Sequence, residues 1–139
     1  WQGDKVSDAV RQRIDRALRV GAVQVVAIAQ RLVSQPAQRL TKRRKRNTTA
    51  GKKGSTYSVY IGSRPGEPPR LRSGVGRSSI RWIKERDLSY RILVASPGIY
   101  MAYLDRGTRR VAARPWLKQA VTLAQPAINR ALRQAQSGG

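Results

Sequence analysis

Aromatic, acidic and basic side chains crowd into one stretch of this sequence, YMAYLDRGTRRVAARPWL at positions 100–117. The stretch holds three aromatic rings, one carboxylate and four guanidinium groups, a mixture that suits interface contacts and the binding of anions. Catalysis needs other groups, and the chain contains neither histidine nor cysteine. The commonest general base, the thiol nucleophile and the usual zinc ligands are therefore missing, and we predict that the chain is not an enzyme.

A magnesium-dependent nuclease is the catalytic alternative that this composition leaves to be weighed. Such a site needs several clustered carboxylates. Asp105 has no other acid near it in the sequence, and Glu85 and Asp87 lie on a predicted turn without further acids. We therefore expect no bound metal and no cofactor.

The charge of the chain predicts a polyanionic partner. Lysine and arginine number 29 against 7 acidic residues, a net charge of +22 over 139 residues. A field of this strength attracts nucleic acid, although ribosomal, chromatin and virion proteins share it. The length fits a single domain over 1–139. The longest apolar run, at 20–29, is shorter than the roughly 20 residues that cross a bilayer, so we expect no membrane partner.

Apolar residues recur with the helical period in two segments, which predicts long helices near 5–35 and 115–134. Pro36 should end the first helix, and Pro126 should bend the second. Residues 20–33 are apolar on nearly every side. Two interpretations of this segment stay open, namely burial in the core of its own domain and packing between copies of the chain.

Alternating patterns at 57–61, 79–85 and 89–95 predict three strands in a small antiparallel sheet. Between the last strand and the second long helix, a short helix should start at Ser96 and Pro97 and run to Asp105. The predicted fold class is α+β, with a long N-terminal helix and a kinked C-terminal helix packed on the sheet.

Residues 36–56 are strongly basic and contain no acid. Like charges this dense, with few apolar residues, predict a mobile loop or an extended hairpin arm. The arm is interpreted either as a solvated loop or as a segment that contacts nucleic-acid phosphate. The candidates for facing DNA are Arg39, Lys42, Arg43, Arg44, Lys45, Arg46, Lys52 and Lys53.

Four blocks of the sequence resemble, in order and spacing, the small tail-completion or neck proteins of long-tailed bacteriophages, a family related to minor tail protein Z of phage lambda. The blocks are PGEPP at 65–69, SG at 73–74 followed by RSSI at 77–80, YMAYLDRGT at 100–108 and ARPWL at 113–117. The similarity is close over about 63–125, and the long first helix fits the family in type only.

Four positions depart from the family pattern within these blocks. Gly76 stands where leucine is common, Met101 where alanine is usual, Asp105 where glutamate is usual, and Trp116 where phenylalanine is usual. The changes alter size within the same chemistry. The basic arm is longer and more charged than the pattern leads us to expect.

The resemblance implies a structural protein of the virion that assembles in the host cytoplasm and is located in the neck, at the junction of head and tail. It implies a ring of six copies, or alternatively twelve, which completes the tail and surrounds double-stranded DNA without reading its sequence. Neighbouring neck and tail proteins, such as a head-closure protein and a tail terminator, would be its partners. The candidates for contact with other subunits are Tyr100, Tyr103, Leu104, Asp105, Arg109, Arg110, Arg114 and Trp116.

Alternatives remain for these residues and for the whole chain. The rings of Tyr100, Tyr103 and Trp116 would also suit the core of their own domain, and Asp105 could pair with an arginine of its own chain or of a neighbour. The rival function is a free-standing nucleic-acid-binding protein of ribosomal or architectural type, for which charge is the whole argument. The basic arm contains few aromatic rings on which single-stranded bases could stack, which disfavours that rival.

Overall fold

The computed structural model describes residues 3–43, 56–70 and 73–137, except for the side chains of residues 3–6, 43 and 60. Helices and antiparallel strand pairs both occur within these ranges, so the predicted α+β class is confirmed. The elements, in chain order, are α1 (Gly3–Leu32), β1 (Gln38–Arg43), β2 (Thr56–Ile61), α2 (Val75–Ser79), β3 (Ile80–Arg86), β4 (Ser89–Val94), α3 (Tyr100–Arg106) and α4 (Leu117–Ser137).

The two long helices pack on each other through small residues. Gly21 is buried against Ile128, so close that a Cβ atom at Gly21 would lie 3.1 Å from Ile128 Cγ1. Alanines allow the same close approach elsewhere, since Ala29, Ala120 and Ala124 are fully buried. Helix α1 ends ahead of Pro36 as predicted, and α4 continues through Pro126.

The core lies where α1 and α4 meet β3 and α3. The largest fully buried side chains are those of Trp116 and Ile80, and Met101 is 3% exposed. The 20–33 segment contributes Val25, Ala29 and Val33 to this cluster. Burying these apolar side chains supplies most of the free energy that holds the helices to the sheet.

The other side of the 20–33 segment is not covered by the described residues. Val20 and Val23 remain 47% and 44% exposed. One face of the segment forms the core, as the first interpretation predicts. The opposite face is open, so packing between copies stays a prediction. None of the described helices is long and apolar enough to cross a membrane.

A polar cluster fixes the β3–β4 hairpin on α1. The carboxylate of Asp15 accepts hydrogen bonds from Lys84 Nζ at 2.9 Å and from the Tyr90 hydroxyl at 3.0 Å. The bond from Lys84 holds the pKa of Asp15 below its ordinary value, and the same bond raises the pKa of Lys84. Burial of its ring raises the pKa of Tyr90, so the hydroxyl stays protonated and donates.

The prediction of one three-stranded sheet is wrong. The structure has two separate two-stranded antiparallel sheets, β1 with β2 and β3 with β4. Strand β2 pairs with residues 38–43 of the basic segment, with Leu40 opposite Val59. The density of positive charge at 39–46 concealed the short alternation of that strand, and the proline-rich segment after β2 leads the chain away from β3.

The segment before α3 also differs from its prediction. Residues 96–99 form a turn that contains a cis Ser96–Pro97 peptide, and α3 begins only at Tyr100. Gly98 lies directly against Ser79 in this turn, with no room for a Cβ atom. The short helix α2 was not predicted, since we assigned its last residue to a strand.

Candidate binding cleft and basic arm

The four sequence blocks come together at one place in the fold. The amide of Gly66, in the proline block, donates to the carbonyl of Ala113 in the last block at 3.0 Å. The amide of Arg114 donates to the carbonyl of Leu104 at 2.7 Å, which ties the last block to the tyrosine block. These bonds hold segments that are far apart in the sequence in fixed positions around a common site.

Asp105 and Trp116 make the joint between the tyrosine block and α4. Asp105 Oδ1 accepts from the backbone amides of Trp116 at 2.9 Å and Leu117 at 3.0 Å. It therefore caps the first turn of α4, a contact generally worth about 1 kcal/mol. The indole Nε1 of Trp116 donates to the carbonyl of Met101 at 3.0 Å inside the core.

These contacts correct the interface prediction for Trp116 and one of the two interpretations of Asp105. Trp116 is 2% exposed, so its ring fills the core of its own chain instead of reaching a neighbour. Asp105 makes no ion pair within the described part of the chain, and its Oδ1 atom accepts from the two backbone amides instead. The interpretation of Asp105 as an internal ion pair is wrong.

The other interface candidates lie on or near the surface. Tyr103 and Tyr100 are 60% and 43% exposed, and Leu104 and Arg114 are half-buried. Arg109 and Arg110 are exposed on a turn ordered by Thr108, whose hydroxyl oxygen accepts from the amides of residues 110 and 111. These six side chains remain accessible to a partner.

The blocks enclose a cleft of about 860 Å³, which we call the arginine cleft. It is bordered by Arg70, Gly76, Arg77, Tyr100, Leu104 and Arg114. Val33 and Met101 form part of its apolar floor. None of the described residues lining the cleft is acidic. Such a cleft can hold a carboxylate or another anion beside an apolar group.

A glycine determines the shape of the cleft wall. Gly76 is buried, and a Cβ atom there would come within 2.7 Å of both Met101 Sδ and the Tyr100 hydroxyl. Real Cβ atoms do not approach other atoms so closely. The size of the side chain at position 76 is therefore coupled to the size of the side chain at position 101.

Strands β1 and β2 form the base of the predicted basic arm. The hairpin does not pack closely on any described helix or on the other sheet. Leu40, Tyr57 and Ile61 are 44%, 43% and 39% exposed, and the register places all three on one face. The face that these three side chains share is therefore only partly covered by the described residues.

The basic candidates of the arm are only partly described. Arg39 and Lys42 are exposed and lie on opposite faces of β1, since they are three residues apart in the strand. Arg39 Nε donates to Ser58 Oγ at 2.9 Å across the hairpin. The remaining candidates, whose side chains fall outside the described part, are Arg43, Arg44, Lys45, Arg46, Lys52 and Lys53.

Sequence reasoning missed Arg70 and Arg77 as site residues. Both belong to or adjoin the matched blocks, so their position beside the proline and Ser-Gly blocks was the available signal. Among the described residues there is no group of three or more acidic side chains that could hold a metal ion. Comparison with known proteins gives no match to this chain among family models, curated proteins or solved structures.

Proposed function

We propose that this chain is a non-enzymatic structural protein of a long-tailed bacteriophage, one that forms a ring in the head-to-tail neck and surrounds the DNA channel. The observation that carries the proposal is the meeting of the four resembling blocks at one cleft. Blocks that merely shared composition with the family would have no reason to bond to one another. The hydrogen bonds from Gly66 to Ala113 and from Arg114 to Leu104 are contacts of this kind.

Two departures from the family pattern support the same proposal. The family pattern has leucine where this chain has Gly76, and alanine where it has Met101. These two positions touch in the fold. The larger side chain stands at position 101 in this chain and at position 76 in the family pattern. Because packed cores conserve volume, such a paired exchange keeps the family arrangement of α2 against α3.

Exposed apolar side chains supply surface for a ring. Tyr103 and Ile99 on and before α3 are 60% and 57% exposed, and the arm presents Leu40 and Tyr57. Tyrosine gives a large, stiff contact area at interfaces. A two-stranded hairpin is marginal in water by itself, so the arm gains stability when a neighbouring copy covers it. Six copies are expected, with twelve as the alternative.

The basic arm suits a DNA channel because phosphate contacts hold a duplex without reading its sequence. Such contacts let the duplex slide along the channel during packaging and ejection. This role needs no general acid or base on the protein, and no reaction is catalysed.

The assembly is tested by sedimentation of the purified chain and of its Tyr103→Glu variant. We expect the unchanged chain to form a ring and the variant to be monomeric with an unchanged circular dichroism spectrum, because a glutamate at the centre of an apolar contact is costly to bury. Leu123→Glu is the matched control, since Leu123 is 58% exposed on α4 and is not a predicted interface residue. A chain that stays monomeric at every concentration, alone and with its neck partners, would refute the ring.

A further inference from the structure

We infer that the arginine cleft binds an acidic peptide segment of another protein, with an apolar side chain seated between carboxylates. The inference names the chemistry of the neck partner and to that extent rests on the proposed function. The ligand itself follows from the cleft alone and does not require a ring.

Clustered guanidinium groups are the first argument. Arg70, Arg77 and Arg114 border the cleft, and among the described residues only Arg70 of these three has an ion pair, a long one of 4.0 Å from its Nη2 to Glu67 Oε2. The Nε atom of Arg114 is buried and has no hydrogen-bond partner. A buried donor without an acceptor is costly, and a carboxylate entering the cleft would supply acceptors for it in a forked geometry.

The apolar floor is the second argument, and it favours a peptide over a phosphate chain. Val75 and Leu104 are half-buried and Tyr100 is 43% exposed, and all three line the cleft together with the arginines. A bare phosphate would leave their exposed parts facing water, whereas a leucine-type side chain would cover them. A duplex is too broad and too stiff to reach the floor and would only lie across the rim.

The third argument separates a different protein from a second copy of this chain. Of the 7 acidic residues, Asp15, Glu85 and Asp87 pair with Lys84, Arg91 and Arg11 in the same chain. Glu67 accepts from the amide of Arg64, and Asp105 caps α4. Asp8, near the start of α1, has no ion pair among the described residues, and the side chain of Asp4 lies outside the described part. A second copy, with the same net charge of +22, is therefore a poor source of the acidic segment.

The test uses a defined probe, the capped peptide Glu-Leu-Glu-Leu-Glu with a fluorescent label, and follows its anisotropy at about 0.1 M salt, where distant charges are screened. We expect saturable binding to the full chain. Replacing all glutamates by glutamine, or both leucines by serine, should each weaken binding about tenfold or more, because carboxylate bonds and the apolar contact both contribute. Equal binding of the serine peptide would reduce the site to a general anion site and overturn the inference.

Variants of the chain locate the site. Arg77→Gln and Arg70→Gln should each weaken the peptide about tenfold, since each removes one charge-assisted contact. Arg81→Gln is the control, because it removes the same charge from an exposed position on β3 that does not line the cleft. An equal loss in Arg81→Gln would show a nonspecific charge effect and contradict the inference. The test does not depend on Arg114, whose replacement could disturb the fold.

Competition with a short DNA duplex completes the design. The duplex should compete poorly with the peptide for the cleft. The competition is carried out in the Arg39→Gln, Lys42→Gln variant, which lowers duplex binding at the arm. Complete displacement of the peptide by the duplex in this variant would mean that the cleft binds phosphate, and it would contradict the inference. Absence of peptide binding, with a ring still formed, overturns this inference and leaves the proposed function standing. Peptide binding by a chain that never forms a ring would support this inference and contradict the proposed function.

Discussion

Gly76→Leu combined with Met101→Ala is expected to cost far less stability than the two single changes added together. Alone, Gly76→Leu drives a side chain into Met101 Sδ and the Tyr100 hydroxyl, each 2.7 Å from the first atom added, and should cost about 3 kcal/mol. Alone, Met101→Ala empties a core position that is 3% exposed and should cost about 2 to 5 kcal/mol. Together, the leucine occupies the space that the methionine leaves, and the Tyr100 hydroxyl, at the end of a side chain that is 43% exposed, can shift outward.

The measurement is urea unfolding of the four proteins of the cycle, at one fixed protein concentration because assembly adds to apparent stability. We expect a coupling of about 2 to 3 kcal/mol in favour of the double variant. Gly21→Leu with Met101→Ala is the matched control. A Cβ atom at Gly21 would meet Ile128 and not Met101, so those two changes should add. Simple additivity in the first cycle would contradict the volume exchange that supports the family resemblance.

Removing four charges from the arm is expected to make DNA binding much less sensitive to salt. The variant carries Arg43→Gln, Arg44→Gln, Lys45→Gln and Arg46→Gln. If these side chains contact phosphates, the slope of log affinity against log salt should become shallower by about 3 to 4, at about 0.9 per phosphate lost. The fold should be unchanged, because a segment this charged contributes little to the core.

The measurement is a salt titration of binding to two duplexes of unrelated sequence, which should bind about equally. The matched control replaces the exposed residues Arg81, Arg86, Arg130 and Arg133 by glutamine, which removes the same number of charges from the body of the domain. The control should lower affinity slightly and change the slope by less than the arm variant. Identical slopes for the two variants would mean that the arm is a solvated segment or contacts an acidic neighbour.

The long helices were predictable because their signals are local and repeated many times. Apolar residues recur along α1 with the helical period and define one apolar face, and Pro36 marks the end of the helix. The 115–134 prediction found α4 for the same reason, although the helix extends to Ser137. The strand pairing was not predictable, since β2 could pair with any strand of suitable pattern. Its true partner was hidden under the positive charge of the arm.

Sequence reasoning named some residues of the arginine cleft, as candidates for contact with other subunits, and predicted neither the cleft nor its contacts. The resemblance singled out the blocks that meet at the arginine cleft, including Tyr100, Leu104 and Arg114. It could not show that Asp105 caps α4 or that Trp116 is enclosed, because both facts depend on how the last block folds back on α3. Arg70 and Arg77 become site residues only because the proline-rich loop and α2 meet at the cleft, which no local pattern reports.

Electron-microscopic imaging of the purified chain with a blunt DNA duplex is the most direct test of the central claim. We expect closed rings of six copies, with twelve as the alternative. The duplex should pass through the lumen of the ring whatever its sequence. Single copies scattered along the outside of the duplex, with no closed ring at any concentration, would contradict the neck assignment and favour a free-standing nucleic-acid-binding protein.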